Sequence, residues 1–316
     1  MKTALERADE KRTNPGASTL LREMVRAGVS VHILSGSPEQ MRRRLEDKLR
    51  LDGIEWDSFT LKPNLQNVLR FRFRALKDQL GYKLPALVHA RAAADATEDA
   101  SPMETLFGDD AEADAFVYSL YADLVAGRVG EEDLVRITER GKMYEDVAEQ
   151  LVGDLRVMQK RDVVERILIH LERQTPPDDF RLYGARVVPF YNYLQAAFVV
   201  HEDGRLPAGA VLRVGVELVV QHRFDGDALA RSYLDLARRG HLRGTRIDAL
   251  EAASKEWLEQ DHAPGSKELP MMIGQLPSMA KDAAAMWRGS DALAPIDYIA
   301  LVERHNPRKK KKKKKR

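Results

Sequence analysis

Cysteine is absent from this sequence of 316 residues. Its absence excludes a disulfide framework, a cysteine nucleophile and a zinc site built from thiolates. Long hydrophobic runs are also lacking: no apolar run approaches the roughly 18 residues of a membrane helix. The N-terminal sequence MKTALERADEKRT has no apolar core of a secretory signal. We therefore expect a cytoplasmic protein that is neither secreted nor membrane-spanning.

Basic residues are concentrated at the C-terminus, where residues 308–316 read RKKKKKKKR. The formal net charge is +2, but without these nine positions 42 basic residues face 49 acidic ones, which leaves −7. A basic DNA-binding domain is therefore not indicated. We expect residues 307–316 to form a disordered polybasic tail. Such a tail either makes weak contacts with an anionic membrane or nucleic acid, or has no partner and only solubilises the chain.

Helices and apolar strands alternate in the first half of the chain. A predicted helix at Ser18–Ala27 is followed by the apolar run Val29–Leu34, the turn Ser35–Pro38 and a second helix at 39–50. This order is typical of a parallel α/β sheet with crossover connections. Hydrophobic residues make up 44% of the chain, which is enough for a real core.

The middle of the chain continues this pattern up to a proline-rich boundary at Thr175–Asp179. Before it, the segment Ala92–Pro102 is small and acidic and predicts a loop, and Glu112–Ala126 predicts a helix. The remaining predicted strands are Phe59–Leu61, Met103–Phe107 and Val163–Leu171. The helices predicted beyond the boundary are Phe190–His201, Val211–His222, Asp227–Arg239 and Ile247–Gln260.

Polar side chains follow two of the predicted strands. Ser35 follows the first strand, and Asp109, Asp110 and Asp114 follow the strand at Met103–Phe107. Ligands of open parallel sheets bind at the carboxyl ends of strands, beside helix N-termini. Three carboxylates within six residues are costly unless they are hydrated, cap a helix or hold a cation. The alternative is that the acidic residues only favour the N-terminus of the next helix.

Three segments carry a resemblance to a known family: ILSGSPEQM, GYKLPAL and LFGDDAEADAF. In this order they resemble the haloacid dehalogenase (HAD) superfamily of phosphotransferases, over roughly residues 14–173. Within it, the chain is most similar to the catalytic domain of the actin-patch-type phosphatidate phosphatases. The resemblance implies an HAD-like Rossmannoid parallel sheet and a Mg²⁺-dependent phosphatase that hydrolyses phosphate esters, with a phosphatidate-like lipid as one substrate class.

The resemblance also implies site residues. Ser35, Gly36 and Lys83 would bind phosphate, and Asp109 and Asp114 would hold Mg²⁺, with Asp110 as a further candidate. These types suit the chemistry, because phosphoryl transfer depends on positioning and on neutralising phosphoryl oxygens. Taken singly, Ser35 is better explained as a plain turn residue and Lys83 as a solvated helix lysine.

One departure from the family concerns the nucleophile. The family carries it on its first strand, in an Asp-x-Asp-x-Thr pattern, and this sequence contains no such pattern. We therefore expect a sheet that lacks its nucleophile strand, an inactive chain and an internal start at Met1 within a longer protein. The alternatives are a non-catalytic HAD-like binding protein and an adaptor with a basic tail. The predicted domains are an HAD-like domain at 1–173, a helical region at 174–306 and the tail at 307–316.

Overall fold

A computed structural model of the protein describes residues 13–62, 76–95, 102–260, 264–286 and 295–305. The predicted tail at 307–316 lies outside these residues. The chain divides into two compact units, each made of two stretches. The first unit combines Met1–Leu61 with Phe190–Ala292, and the second combines Lys62–Pro189 with Leu293–Arg316. The domain boundary at residue 173 stays a prediction.

The described residues form both helices and strands, which confirms the predicted α/β class. The strands are β1 His32–Pro38, β2 Ser58–Lys62, β3 Glu104–Asp109, β4 Val164–His170 and β5 Val187–Phe190. The α-helices are α1 Ala17–Arg26, α2 Arg42–Leu51, α3 Leu76–Leu80, α4 Lys83–Asp95, α5 Asp114–Val125, α6 Glu131–Gly141, α7 Glu145–Val157, α8 Tyr193–Glu202, α9 Ala208–His222, α10 Gly226–Arg238, α11 Ile247–Leu258, α12 Glu268–Met286 and α13 Tyr298–His305. Short 3₁₀ helices span Glu39–Met41 and Pro177–Tyr183.

The second unit contains a three-stranded sheet in the order β3-β4-β5. Strands β3 and β4 are parallel, and their register runs from Glu104 opposite Val164 to Asp109 opposite His170. Both strands therefore reach their carboxyl ends at the same edge of the sheet. Helix α5 is apolar on nearly every side and buried along almost its whole length, as expected for a helix inside a core. It packs against both parallel strands.

The first unit contains the pair β1-β2 and helices α8 to α12. Helix α1 joins this unit because it packs against α8 and α9. Its buried Glu23 accepts a hydrogen bond from Arg213 Nη2 at 2.6 Å. The N–H of Gly16 donates to Glu217 Oε1 at 3.0 Å. No helix among the described residues is long and apolar enough to cross a membrane.

Three local predictions are wrong. Strand β1 continues through Pro38, so the segment from Ser35 is strand and not a turn. Proline is tolerated in edge strands, where its missing N–H costs no ladder bond. Helix α4 runs to Asp95, into the predicted loop, and Arg91 Nη2 donates to the Asp95 carboxylate at 2.6 Å. Phe190 ends β5 and does not begin a helix.

Candidate functional site

The carboxyl end of β3 brings Gly108, Asp109 and Asp114 together. A Cβ atom added at Gly108 would lie 2.5 Å from the Asp114 Cβ. Side chains never approach so closely without displacement, so glycine allows α5 to begin beside the strand. The Asp109 N–H donates to Asp114 Oδ2 at 3.2 Å. The side chain of Asp114, the first residue of α5, therefore links the start of this helix to the end of β3.

Lys83, the first residue of α4, extends its ammonium group to the same point. It forms an ion pair with Asp114 and a second one with Glu112 Oε2 at 2.7 Å. The side chains of Lys83 and Asp114 are only 5% and 4% exposed. Since a buried charge without a partner is strongly unfavourable, each of these two groups stabilises the other. The alternative interpretation of Lys83 as a solvated helix lysine is thus wrong.

Burial and neighbouring charges act in opposite directions in this cluster. Burial lowers the pKa of the Lys83 ammonium, but the carboxylates of Asp114 and Glu112 outweigh burial and hold the pKa above its ordinary value. Burial raises the pKa of Asp114 to about 6, against the opposing effect of Lys83. Burial also raises the pKa of Tyr118, whose ring centroid lies 5.8 Å from Lys83 Nζ. At neutral pH the cluster is therefore an ion pair beside a neutral phenol.

Asp109 has one occupied and one free carboxylate oxygen. Its Oδ1 accepts the N–H of Ala111 at 2.8 Å and the N–H of Glu112 at 3.1 Å. Its Oδ2 has no hydrogen-bond or ion-pair partner among the described residues. Asp109 also lines a cavity of about 450 Å³ in the second unit. One oxygen of this carboxylate is therefore available to a ligand.

Asp110 has both carboxylate oxygens occupied by the loop that follows β4. Oδ1 accepts the N–H of Arg173 at 2.7 Å, and Oδ2 accepts the N–H of Thr175 at 3.0 Å. Burial raises the pKa of Asp110, but these N–H donors outweigh it and hold the pKa below its ordinary value. The geometry gives Asp110 a structural role, because it fixes one loop against the end of β3.

Ser35 and Gly36 lie on β1 in the first unit, whereas Lys83, Asp109 and Asp114 belong to the second. Ser35 Oγ accepts the N–H of Ser37 at 3.2 Å, a local contact within the strand. The cluster in the second unit thus combines three of the predicted site residues and does not include Ser35 and Gly36.

The cavity that Asp109 lines has both charged and aromatic residues in its wall. Its charged lining residues are Asp109, Asp110, Glu112, Asp179 and Arg304. Its aromatic lining residues are Phe116, Phe180 and Tyr183. Burial raises the pKa of Tyr183 to about 12, so its phenol stays neutral. Four carboxylates and one guanidinium favour a cation in this cavity.

The carboxylate oxygens of Asp109 are better suited to bind Mg²⁺ than those of Asp114. No group of three or more His, Asp or Glu side chains among the described residues is arranged to hold a metal ion. Mg²⁺, however, is commonly bound through one or two carboxylates, with waters and phosphate oxygens completing its shell. The free Oδ2 of Asp109 meets this need. Both oxygens of Asp114 are engaged, by Lys83 and by the Asp109 N–H.

Two members of the cluster, Glu112 and Tyr118, were not expected from the sequence as site residues. The signal for Tyr118 is its spacing: it follows Asp114 by four residues on α5 and so lies on the same helix face. Glu112 precedes the helix, and its membership of the cluster is evident only from its ion pair with Lys83.

Comparisons with protein-family models, with curated proteins and with solved structures found no match.

Proposed function

We propose that the second unit binds phosphate esters together with Mg²⁺, as HAD-type phosphatases do. The observation that supports this is the buried Lys83 ammonium, which is held by the carboxylates of Glu112 and Asp114, with Asp114 also accepting a hydrogen bond from the Asp109 N–H. These groups lie at the carboxyl end of a parallel strand pair, the usual ligand position in such sheets. The sequence order of the same residues resembles the HAD superfamily.

Each residue has a distinct part in this proposal. An ammonium group has three donors, and Asp114 and Glu112 occupy two of those of Lys83. The third donor would bind a phosphoryl oxygen, while Asp114 keeps the lysine oriented. Asp109 would hold Mg²⁺, which when bound supplies positive charge that neutralises phosphoryl oxygens. A phosphate-binding role for Ser35 and Gly36 rests on the resemblance alone.

Hydrolysis is a separate matter from binding. In the family, an aspartate attacks phosphorus and forms an aspartyl-phosphate, and the Asp-x-Asp-x-Thr pattern that carries it does not occur in this sequence. We therefore expect this chain to bind a phosphate ester without turnover. The narrower resemblance suggests a phosphatidate-like lipid as the natural ester.

Calorimetric titration of the full chain with Mg²⁺, and then with phenyl phosphate, tests the proposal. We expect saturable binding of both, and Asp109→Asn should weaken Mg²⁺ binding by about tenfold or more. Asp179→Asn is the matched control, because Asp179 lines the same cavity but lies outside the cluster. It should leave Mg²⁺ affinity within about twofold.

Three outcomes would contradict the proposal. The first is that the wild-type chain binds neither Mg²⁺ nor phenyl phosphate. The second is an equal loss of Mg²⁺ affinity in both variants, which would show that Mg²⁺ binding depends on the overall negative charge of the cavity and not on Asp109. The third is Mg²⁺-dependent release of phosphate from an aryl phosphate. This result would show that the chain hydrolyses the ester and does not only bind it.

A further inference from the structure

One guanidinium group lines the cavity at Asp109 without an ion-pair partner. Arg304 is an exposed residue of α13 and lines this cavity of about 450 Å³ together with Asp109. Its guanidinium group forms no hydrogen bond or ion pair with the described residues. A guanidinium presents its donors in a planar fork that matches the oxygens of a phosphate group. Arg304 is therefore available to an anionic ligand in the cavity.

Helix α13 holds Arg304 at the cavity through buried neighbours. Tyr298, Leu301 and Val302 are between 1% and 6% exposed. The Tyr298 hydroxyl donates to Asp123 Oδ2 at 2.6 Å, and α13 packs against α5 and α6. Leu301, which precedes Arg304 by three residues on the helix, lines the cavity as well. The backbone that carries Arg304 is thus fixed by the core of the second unit.

Three aromatic side chains line the same cavity, and each is at most 8% exposed: Phe116, Phe180 and Tyr183. The rings of Phe180 and Tyr183 have centroids 6.5 Å apart and are tilted by 38°. Burial raises the pKa of Tyr183 to about 12, and the charge of Arg304 acts against this increase, so the guanidinium interacts with the phenol. Aromatic side chains of this kind pack well against an aromatic ring of a ligand.

The carboxylates of the cavity determine when an anion can enter it. Asp110 accepts two N–H groups, and Glu112 pairs with the buried lysine. The carboxylate of Asp179 and Oδ2 of Asp109 have no partner among the described residues. Because these carboxylates repel a phosphate group, we expect an ester to bind only when Mg²⁺ is present, with Arg304 as the chain's own cation for the phosphate.

The volume of the cavity limits the size of the ester. About 450 Å³ lies in the lower part of the roughly 300–1,000 Å³ of common ligand pockets. This volume suits a phosphate group joined to a single ring. A lipid with two long acyl chains would leave most of its hydrocarbon outside the cavity.

We propose that the cavity at Asp109 is selective for phosphate monoesters of small aromatic alcohols, with Arg304 as a phosphate-binding residue. This inference rests on the proposed function, since it requires Mg²⁺ at Asp109. The ring of the ester packs against Phe180 and Tyr183. The narrower resemblance suggests a phosphatidate-like lipid instead, so a phosphatidate is the competing ligand in the test.

Calorimetric titration of the full chain, saturated with Mg²⁺, compares phenyl phosphate, methyl phosphate and dihexanoyl phosphatidate. We expect phenyl phosphate to bind about tenfold more tightly than methyl phosphate, because only its ring reaches the aromatic lining. The short-chain phosphatidate should bind more weakly than phenyl phosphate. Without Mg²⁺, phenyl phosphate should not bind detectably.

Arg304→Gln tests the assigned phosphate contact. It should weaken the binding of phenyl phosphate by about tenfold or more. It should not weaken Mg²⁺ binding, because it removes a positive charge from the cavity. Arg304 is exposed, so its replacement should leave the melting temperature unchanged. Arg181→Gln is the matched control, since Arg181 is 79% exposed and does not line the cavity.

The possible failures separate this inference from the proposed function. If the wild-type chain binds no Mg²⁺, or no ester in its presence, the proposed function is wrong and this inference is wrong with it. If Mg²⁺ and methyl phosphate bind but phenyl phosphate is not preferred, only this inference is wrong. The same holds if Arg304→Gln binds phenyl phosphate as the wild type does, or if the phosphatidate binds more tightly than phenyl phosphate.

Discussion

Lys83 and Asp114 illustrate what a buried charge requires of its surroundings. The pair is almost fully excluded from water, and Glu112 supplies a second carboxylate for the ammonium. A buried ion pair adds little net stability, but removal of one partner costs about 3–5 kcal/mol because the other charge is left unpaired. The position of Asp114 depends in turn on Gly108, which has no side chain to occupy the same space.

Gly108→Ala should therefore destabilise the second unit. The added Cβ would lie 2.5 Å from the Cβ and 2.6 Å from the Oδ2 of Asp114, so helix α5 must shift. Overpacking of this kind typically costs about 1–3 kcal/mol. Urea unfolding followed by circular dichroism measures the change in the free energy of unfolding.

Gly153→Ala is the matched control for this substitution. Gly153 lies within α7, is exposed, and has no atom within 4 Å of an added Cβ. Because alanine favours a helix over glycine, this variant should gain about 0.5–1 kcal/mol. Equal changes in the two variants would show that the contact with Asp114 has no energetic effect.

At the scale of secondary-structure elements, the ends of β3 and β4 are held together by a side chain as well as by the strand ladder. The N–H of Asp110 donates to the carbonyl of His170 at 3.0 Å and extends the parallel pairing by one residue. Its carboxylate then accepts the N–H groups of Arg173 and Thr175. The loop after β4 thereby gains partners for two backbone donors that the sheet leaves unpaired.

Asp110→Asn should lower the free energy of unfolding by about 1–2 kcal/mol. The asparagine amide can accept a hydrogen bond from one of the two N–H groups but presents its own donor to the other. The loss should depend on pH. The pKa of Asp110 lies below its ordinary value of 3.8 in the folded state. The stability that its charge contributes is therefore complete above that value and is lost as the pH falls through the folded pKa.

Urea unfolding of wild type and Asp110→Asn at several pH values measures this difference. The difference in the free energy of unfolding between the two proteins should be constant near neutral pH and should become smaller at acid pH. Asp178→Asn is the control, since Asp178 is 75% exposed and its ion pair with Arg181 lies on the surface. A difference in the free energy of unfolding that becomes larger as the pH falls would contradict the assigned role of Asp110.

Helix α10 of the first unit depends on a capping side chain. Asp225 Oδ1 accepts the N–H of Ala228 at 2.7 Å and so pairs a donor that the helix itself leaves free. Asp225→Ala should lower the free energy of unfolding by about 1 kcal/mol, and Asp225→Ser should restore most of it. Chemical denaturation of the three proteins measures both effects. Equal stability of the alanine and serine variants would exclude the cap as the cause.

At the scale of the whole molecule, charge is divided unevenly along the chain. Residues 308–316 carry nine positive charges, whereas the rest of the chain has a formal charge of −7. We expect salt-sensitive binding to vesicles of anionic lipid, which deletion of 308–316 abolishes without a change in the melting temperature. Each basic residue near such a surface contributes about 1 kcal/mol. Equal sedimentation of both proteins with the vesicles at low salt would contradict this prediction.

The local pattern of the sequence determined the α/β class and the approximate positions of many elements. Helix α5 and strand β4 lie within two residues of their predicted bounds, because continuous apolar runs and their glycine, proline and acidic flanks act over short distances. The same local reasoning failed at Ser35–Pro38, where glycine, serine and proline indicate a turn. There, pairing within the sheet of β1 and β2 outweighs local preference.

Only the tertiary structure decided which candidate residues meet. Lys83 and Asp114 are 31 positions apart, and Asp110 and Arg173 are 63 positions apart. Sequence spacing cannot distinguish a solvated lysine from a buried one, because burial depends on elements that pack from distant parts of the chain. The identities of the charged residues were thus set by the sequence, whereas their partners, burial and pKa values arise from the packing of α4 and α5 around the end of β3.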